Sequence, residues 1–274
     1  MSGQCAPTRR FPNLDLEKYM RKPLLAGNWK MYKSVSEGRA FAKALRALVG
    51  TASDRDVVVC PPFTAIAAAV EEFKGSPVAV GAQNAHWEKQ GAFTGEIAPL
   101  MLAEIGAKYV IVGHSERRQY FGETDDTVNK RMQAVLAAGL TPIVCIGETL
   151  QEREANKTFE VIERQMTGGL KNLGTPTAIV VAYEPVWAIG TGKTATPAQA
   201  QEVHAFIRKQ FAKSFGEAAA QAVRILYGGS VKPDNISALM GQPDIDGGLV
   251  GGACLDADSF SKIIFYDRQP AASK

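Results

Sequence analysis

A lysine, a histidine and a glutamate stand at the ends of three separate apolar runs. Lys30 closes Gly27-Asn28-Trp29-Lys30, His114 opens His114-Ser115-Glu116-Arg117-Arg118 after Gly113, and Glu184 sits in Tyr183-Glu184-Pro185. An ammonium group can stabilise a developing oxyanion, an imidazole can give or take a proton near neutrality, and a carboxylate can abstract one. Two Gly-rich turns, Tyr227-Gly228-Gly229-Ser230 and Val250-Gly251-Gly252-Ala253, offer backbone N–H groups unobstructed by side chains, which suits an anion. Together these groups describe acid–base machinery beside an anion cradle. Taken singly, each has a plainer reading: Glu184 and Lys30 as ion-pair partners, His114 as either a structural or a catalytic histidine. Pro185 disfavours helical geometry at the residue before it, so Glu184 is expected to be extended.

Something must bring these ends together. From Pro23 onward, short Val- and Ile-rich runs alternate with helical stretches. The strand candidates are Leu24–Gly27, Val57–Cys60, Val78–Gly81, Tyr109–Val112, Pro142–Ile146, Ile179–Tyr183, Ile225–Tyr227 and Gly248–Val250. Several are apolar on both faces, as parallel strands covered by helices are. Ser34 with Glu37, Thr149 with Glu152 and Thr196 with Gln199 fit capping boxes, and Pro197 falls at a first helical position. Val203, Phe206, Ile207 and Phe211 form one stripe of the last of these helices.

Eight strand–helix units fit either an open doubly wound sheet or a closed α/β barrel. The unit count and the lack of a dinucleotide fingerprint favour a (β/α)8 TIM barrel over residues 23–274, as one domain, with its strand ends sharing one mouth. Residues 1–22 are expected to be a disordered N-terminal extension. They hold five of the 31 basic and two of the 28 acidic residues, so the +3 net charge lies in the extension and the remainder is balanced. A nucleic-acid partner is therefore not expected. No apolar stretch is long enough for a membrane helix, so no membrane partner is expected either.

The four cysteines, Cys5, Cys60, Cys145 and Cys254, form no CxxC pair, and the last three adjoin apolar runs, as buried thiols do. With no secretory signal, they suggest a reducing cytoplasm. No HExxH or paired ligand spacing exists, so no metal is expected. His86 reads as loop structure and His204 as a surface or boundary residue of its helix. Gly192-Lys193-Thr194 ends like a P-loop, but that pattern needs Gly at 187, where Trp187 stands.

The strand-end motifs, with the run from Tyr183 to Lys193, resemble the triose-phosphate isomerase family in chain order, from about Pro23 to near Tyr266. In that family a glutamate base acts with a neutral histidine. The resemblance implies a cofactor-free aldose–ketose isomerisation of a small triose phosphate in a homodimer. It implies that Glu184 is the base, His114 the electrophile and Lys30 the positive charge at the oxyanion. Asn28 would position substrate, and Glu116 would pair with Lys30. Val186, Trp187, Ala188, Ile189, Gly190, Thr191, Gly192 and Lys193 would form a lid. Gly190, Ser230, Gly251 and Gly252 would hold the phosphate. Gly91-Ala92-Phe93-Thr94-Gly95-Glu96 would reach into a neighbouring subunit, Thr94 bracing Asn28 and His114 there. Two other readings share the motifs: an isomerase of longer sugar phosphates and a non-catalytic barrel.

Overall fold

The structure is a computed structural model that describes residues 21–174, 178–189 and 194–268. Its strands are β1 (Leu24–Asn28), β2 (Asp56–Cys60), β3 (Val78–Ala82), β4 (Tyr109–Val112), β5 (Thr141–Ile146), β6 (Val180–Tyr183), β7 (Arg224–Tyr227) and β8 (Gly247–Val250). Each strand pairs in parallel with the next, and β8 returns to β1 in the register Leu24↔Gly247 to Gly27↔Val250. The sheet is thus a closed barrel, and the doubly wound alternative is excluded. Every strand candidate is a strand, with ends shifted by at most a residue.

The two-faced apolar pattern has a direct cause. Alternate residues such as Leu24, Ala26, Val58, Cys60, Ile111 and Leu226 fill the barrel interior. The residues between them, such as Leu25, Val57, Val59, Val110 and Val112, face the helices. Those helices are α1 (Val35–Val49), α2 (Ile66–Phe73), α3 (Pro99–Glu104), α4 (Ser115–Phe121), α5 (Asp125–Ala137), α6 (Leu150–Glu154), α7 (Thr158–Gly169), α8 (Pro197–Phe215), α9 (Glu217–Ala222), α10 (Ile236–Met240) and α11 (Ala257–Ile264). All three expected capping boxes form, at the starts of α1, α6 and α8. Each such cap typically stabilises by about 1 kcal/mol. A further box, Thr124 with Thr127, starts α5. The α8 stripe packs as expected: Val203, Ile207 and Phe211 are buried, and the half-buried Phe206 lies against Phe159.

At the opposite end from the strand C-termini, Arg208 holds Asp244 at 2.6 Å and Asp246 at 2.7 Å, and it donates to the carbonyls of Ala220 and Val223. Arg21 pairs with Asp246, and Lys22 pairs with Asp56. These last two residues of the extension therefore touch the barrel; residues 1–20 lie outside the described residues.

One histidine corrects its expectation. His204 is not at the surface but fully buried. It lies four residues after Ala200 and three before Ile207, both buried, so it shares their face rather than the boundary. Its Nδ1 lies 3.2 Å from the Asp244 carbonyl, which can only accept, so that nitrogen carries the proton. The ring packs edge-on to Tyr183. Burial holds its pKa down to about 4. Because the folded value lies below the unfolded one, the unfolded chain takes up this proton first as pH falls. Stability is therefore lost between the ordinary value near 6.5 and about 4, by on the order of 3 kcal/mol in all. His204→Asn is expected to shrink the drop in unfolding midpoint between about pH 7 and pH 5. An unchanged drop would show that another group sets it.

Candidate active site

The lysine turn is built from the barrel outward. Asn28 ends β1, and the fully buried Trp29 packs edge-on against Phe41 of α1, 5.0 Å between ring centres. Lys30 follows with φ of +52°, a left-handed conformation. For a residue with a side chain this costs about 1–2 kcal/mol. Both of its peptide groups are held. Lys30 N–H donates to Asn28 Oδ1 at 3.0 Å, and Gln83 Nε2 donates to the Lys30 carbonyl at 2.8 Å. The ammonium group is hydrogen-bonded to Glu116.

His114 and Glu184 are organised by the start of α4. His114 is the N-cap, and Glu116 N–H donates to its Nδ1 at 3.2 Å. A neutral ring accepting at Nδ1 carries its proton on Nε2. Ser115 N–H donates to Glu184 Oε2 at 2.8 Å. Glu184 Oε1 lies 3.0 Å from His114 Nε2 but off the line of a hydrogen bond. Burial pushes the Glu184 carboxyl up, and His114, Ser115 N–H and Lys30 outweigh it, holding the group below its ordinary value. Burial is the largest single influence and pushes His114 down, but the adjacent Glu184 together with the Glu116 carboxylate leaves it above its ordinary value. Burial and the Lys30 charge oppose that rise, so a move of Glu184 away favours a neutral ring.

Glycines just past the ends of the flanking strands β5 and β7 make room for Glu184. A Cβ at Gly147 would stand 1.7 Å from the Glu184 carbonyl oxygen, and one at Gly228 would stand 2.8 Å from Glu184 Cγ. Past Pro185 the chain forms a short turn, Val186–Ala188, tied to Glu148. Val186 N–H donates to the Glu148 carbonyl at 3.0 Å, and Trp187 Nε1 and Tyr183 OH donate to its Oε1 at 3.0 and 3.1 Å. The Arg153 guanidinium lies over the Trp187 ring.

Asn28, Lys30, His114, Glu184, Ile189, Ser230, Gly251 and Gly252 line one cleft of about 670 Å³ at the barrel mouth. Glu116 is joined to it through Lys30. Ala188, the last residue of the turn, is buried. Gly190, Thr191, Gly192 and Lys193 lie outside the described residues. Phe93, Thr94, Gly95 and Glu96 are exposed on the loop after β3 and do not line the cleft. Sequence reasoning missed Glu148, Gln83 and the cleft residue Lys232. Glu148 had a signal, since it follows the strand end Ile146-Gly147 much as Glu184 follows Tyr183.

A family model described as Triosephosphate isomerase matches residues 23–266. A triosephosphate isomerase of Moorella thermoacetica is 62% identical over 251 residues, 91% of this chain and 100% of the relative. One of Endomicrobium trichonymphae is 60% identical over the same shares. The crystal structure of triosephosphate isomerase from Bartonella henselae superposes with a TM-score of 0.84 at 40% identity, covering 90% of this chain and 100% of that one.

Gly228→Ala puts a methyl group against Glu184 Cγ and the Tyr183 carbonyl, 3.1 Å away. Displacing a reacting group by an ångström can cost a hundredfold, so turnover is expected to fall by at least about tenfold with the helical circular dichroism retained. Full activity in that variant would show that Glu184 has room to spare.

Proposed function

The chain belongs to the triosephosphate isomerase family, and from that premise we propose how its cleft works. The reaction interconverts dihydroxyacetone phosphate and D-glyceraldehyde 3-phosphate. The hydrogen next to a carbonyl is weakly acidic, so the enediolate that forms on its removal needs donors already in place.

Glu184 is the base. Its carboxylate leaves the Ser115 N–H, takes a proton from the carbon beside the substrate carbonyl and returns it to the neighbouring carbon. His114 presents its Nε2–H to the carbonyl oxygen and moves the hydroxyl proton between the two enediolate oxygens. Lys30 supplies positive charge where the oxyanion grows, while Asn28 positions the substrate. The backbone N–H groups of Ser230, Gly251 and Gly252 hold the phosphate, and Gly190 is assigned the same task. The turn at Val186–Ala188 is the near end of a lid that excludes water from the intermediate. No cofactor takes part. One observation carries this reading above the others: a carboxylate held ionised lies 3.0 Å from an imidazole whose far nitrogen already accepts a hydrogen bond.

The working unit is a homodimer, with the loop 91–96 covering part of the partner. Support comes from exposed apolar side chains on the loops after β1 and β3: Met31 is 94% exposed, Tyr32 58% and Phe93 44%. Such groups are costly to leave in water and mark an association surface. A cytoplasmic setting fits the buried free thiols of Cys60, Cys145 and Cys254, the last three cysteines. No helix among the described residues is long and apolar enough to cross a membrane.

Glu184→Gln keeps the shape and removes the base. Its turnover of glyceraldehyde 3-phosphate in a coupled assay is expected to fall by at least ~10²-fold with KM little changed. Near-normal turnover would take the base assignment away from Glu184. Phe93→Asp is expected to shift the sedimenting species from twice the 29.4 kDa chain mass to the single chain, with a matching loss of turnover. An unaltered dimer would remove that loop from the interface.

A further inference from the structure

We infer that Asn235 is a positioning residue for the phosphate end of the cleft: its side-chain amide pins the turn 230–235 so that the Ser230 N–H is held where the phosphate arrives. The inference rests on the reading above that the Ser230 N–H binds that phosphate.

Asn235 stands just before α10 and does not itself line the cleft, whereas every residue from Gly228 to Asp234 does. Its Nδ2 donates to the Ser230 carbonyl at 2.9 Å, and its Oδ1 accepts from Lys232 N–H at 2.8 Å. The carbonyl can only accept and the peptide N–H can only donate, so the orientation of the amide is fixed by its neighbours. The two peptide groups it grips are those on either side of Val231, which is buried. Backbone N–H groups of Asn235 and Ile236 donate to the Lys232 carbonyl at 3.2 and 3.1 Å and close the turn.

The need for such a pin comes from the residues upstream. β7 ends at Tyr227, and the chain reaches Ser230 through Gly228 and Gly229. Neither position has room for a side chain. A Cβ at Gly228 would stand 2.8 Å from Glu184 Cγ, and one at Gly229 would collide with the Tyr227 hydroxyl. Two glycines in a row leave the backbone its widest choice of conformation. Gly228 N–H donates to the Tyr183 carbonyl at 2.7 Å, which anchors the start of the segment. Asn235 supplies the anchor at the other end, and Ser230 lies between the two. Without the second anchor the peptides around Val231 are free to turn, and the Ser230 N–H turns with them. A donor that the ligand must order binds it more weakly than one already in place. The phosphate is remote from the reacting carbons, so its binding energy serves the transition state and its loss appears in kcat/KM.

The test uses the full chain with its serine nitrogens isotopically labelled, and inorganic phosphate as the probe. In the parent, phosphate is expected to shift the Ser230 amide signal. Asn235→Leu keeps nearly the same volume and deletes both hydrogen bonds. Asn235→Ala, smaller and equally uncharged, guards against a poor fit of the first variant. Both are expected to raise the Kd for phosphate by at least about fivefold and to lower kcat/KM for glyceraldehyde 3-phosphate by about 10- to 100-fold. D-glyceraldehyde, which has no phosphate, supplies the control. Exchange of the hydrogen beside its carbonyl for deuterium, followed by proton NMR in heavy water, is expected to stay within about twofold of the parent, because Glu184 and His114 are untouched. Equal phosphate affinity in the parent and both variants overturns the pin. A fall in deuterium exchange as large as the fall in kcat/KM also overturns it, because Asn235 would then act on the fold or on the base. A parent Ser230 amide that ignores phosphate overturns the reading of the phosphate site itself, and the pin falls with it.

Discussion

Two consecutive backbone N–H groups at the start of α4 hold the two titratable groups of the site in place. Ser115 N–H holds the Glu184 carboxylate, and Glu116 N–H holds His114 Nδ1. A carboxylate that is 2% exposed would ordinarily be pushed towards its neutral form, and a proton acceptor is useless once protonated. His114 contributes most to keeping the charge on Glu184, and the first donor adds to it. The second dictates which nitrogen of the imidazole carries the proton. Both are free to act because the first N–H groups of a helix have no partner within it. The proposed base and the proposed proton-donating face of the histidine are therefore held by the same helix end.

The barrel exists around this arrangement in a literal sense. Lys30, His114, Glu184 and Gly251 follow β1, β4, β6 and β8, which are spread around the ring. An open sheet would place its first and last strands at opposite edges. Closure between β1 and β8 brings Lys30 to within contact distance of the Gly251 turn, where a Cβ would lie 3.5 Å from the lysine Cε. The glycines at 147 and 228 make the complementary concession just past the ends of β5 and β7. Rigidity at one end of the catalytic segment is matched by a different anchorage at the other. The turn after Glu184 hangs on Glu148, whose backbone carbonyl takes the Val186 N–H and whose fully buried carboxylate accepts from Trp187, Tyr183, Arg153 and Thr158.

Much of this was legible in the sequence because it is local. Runs such as Val57–Cys60 are apolar on both faces for the reason that appears in the fold, one face towards the barrel interior and one towards helices. The capping boxes at Ser34, Thr149 and Thr196 need only four residues to form. The cleft residues could be gathered because a parallel barrel puts all strand C-termini at one end. What escaped depends on distance along the chain or on fine angular placement. His204 was misplaced because one polar residue beside an apolar stripe looks like a boundary, whereas the carbonyl that satisfies it comes from residue 244. Glu148 and Gln83 act on residues 39 and 53 positions away. No local pattern states such a pairing.

Diffraction from crystals grown with 2-phosphoglycolate tests the arrangement most directly, because that small phosphate-bearing carboxylate mimics the planar enediolate. The account predicts that the analogue's carboxylate accepts from His114 Nε2 and Lys30 Nζ, and that its phosphate meets the Ser230 and Gly251–Gly252 backbone. Glu184 should have left Ser115 to face the analogue's carbon. An analogue bound elsewhere, or one bound here with Glu184 still against Ser115, would contradict it.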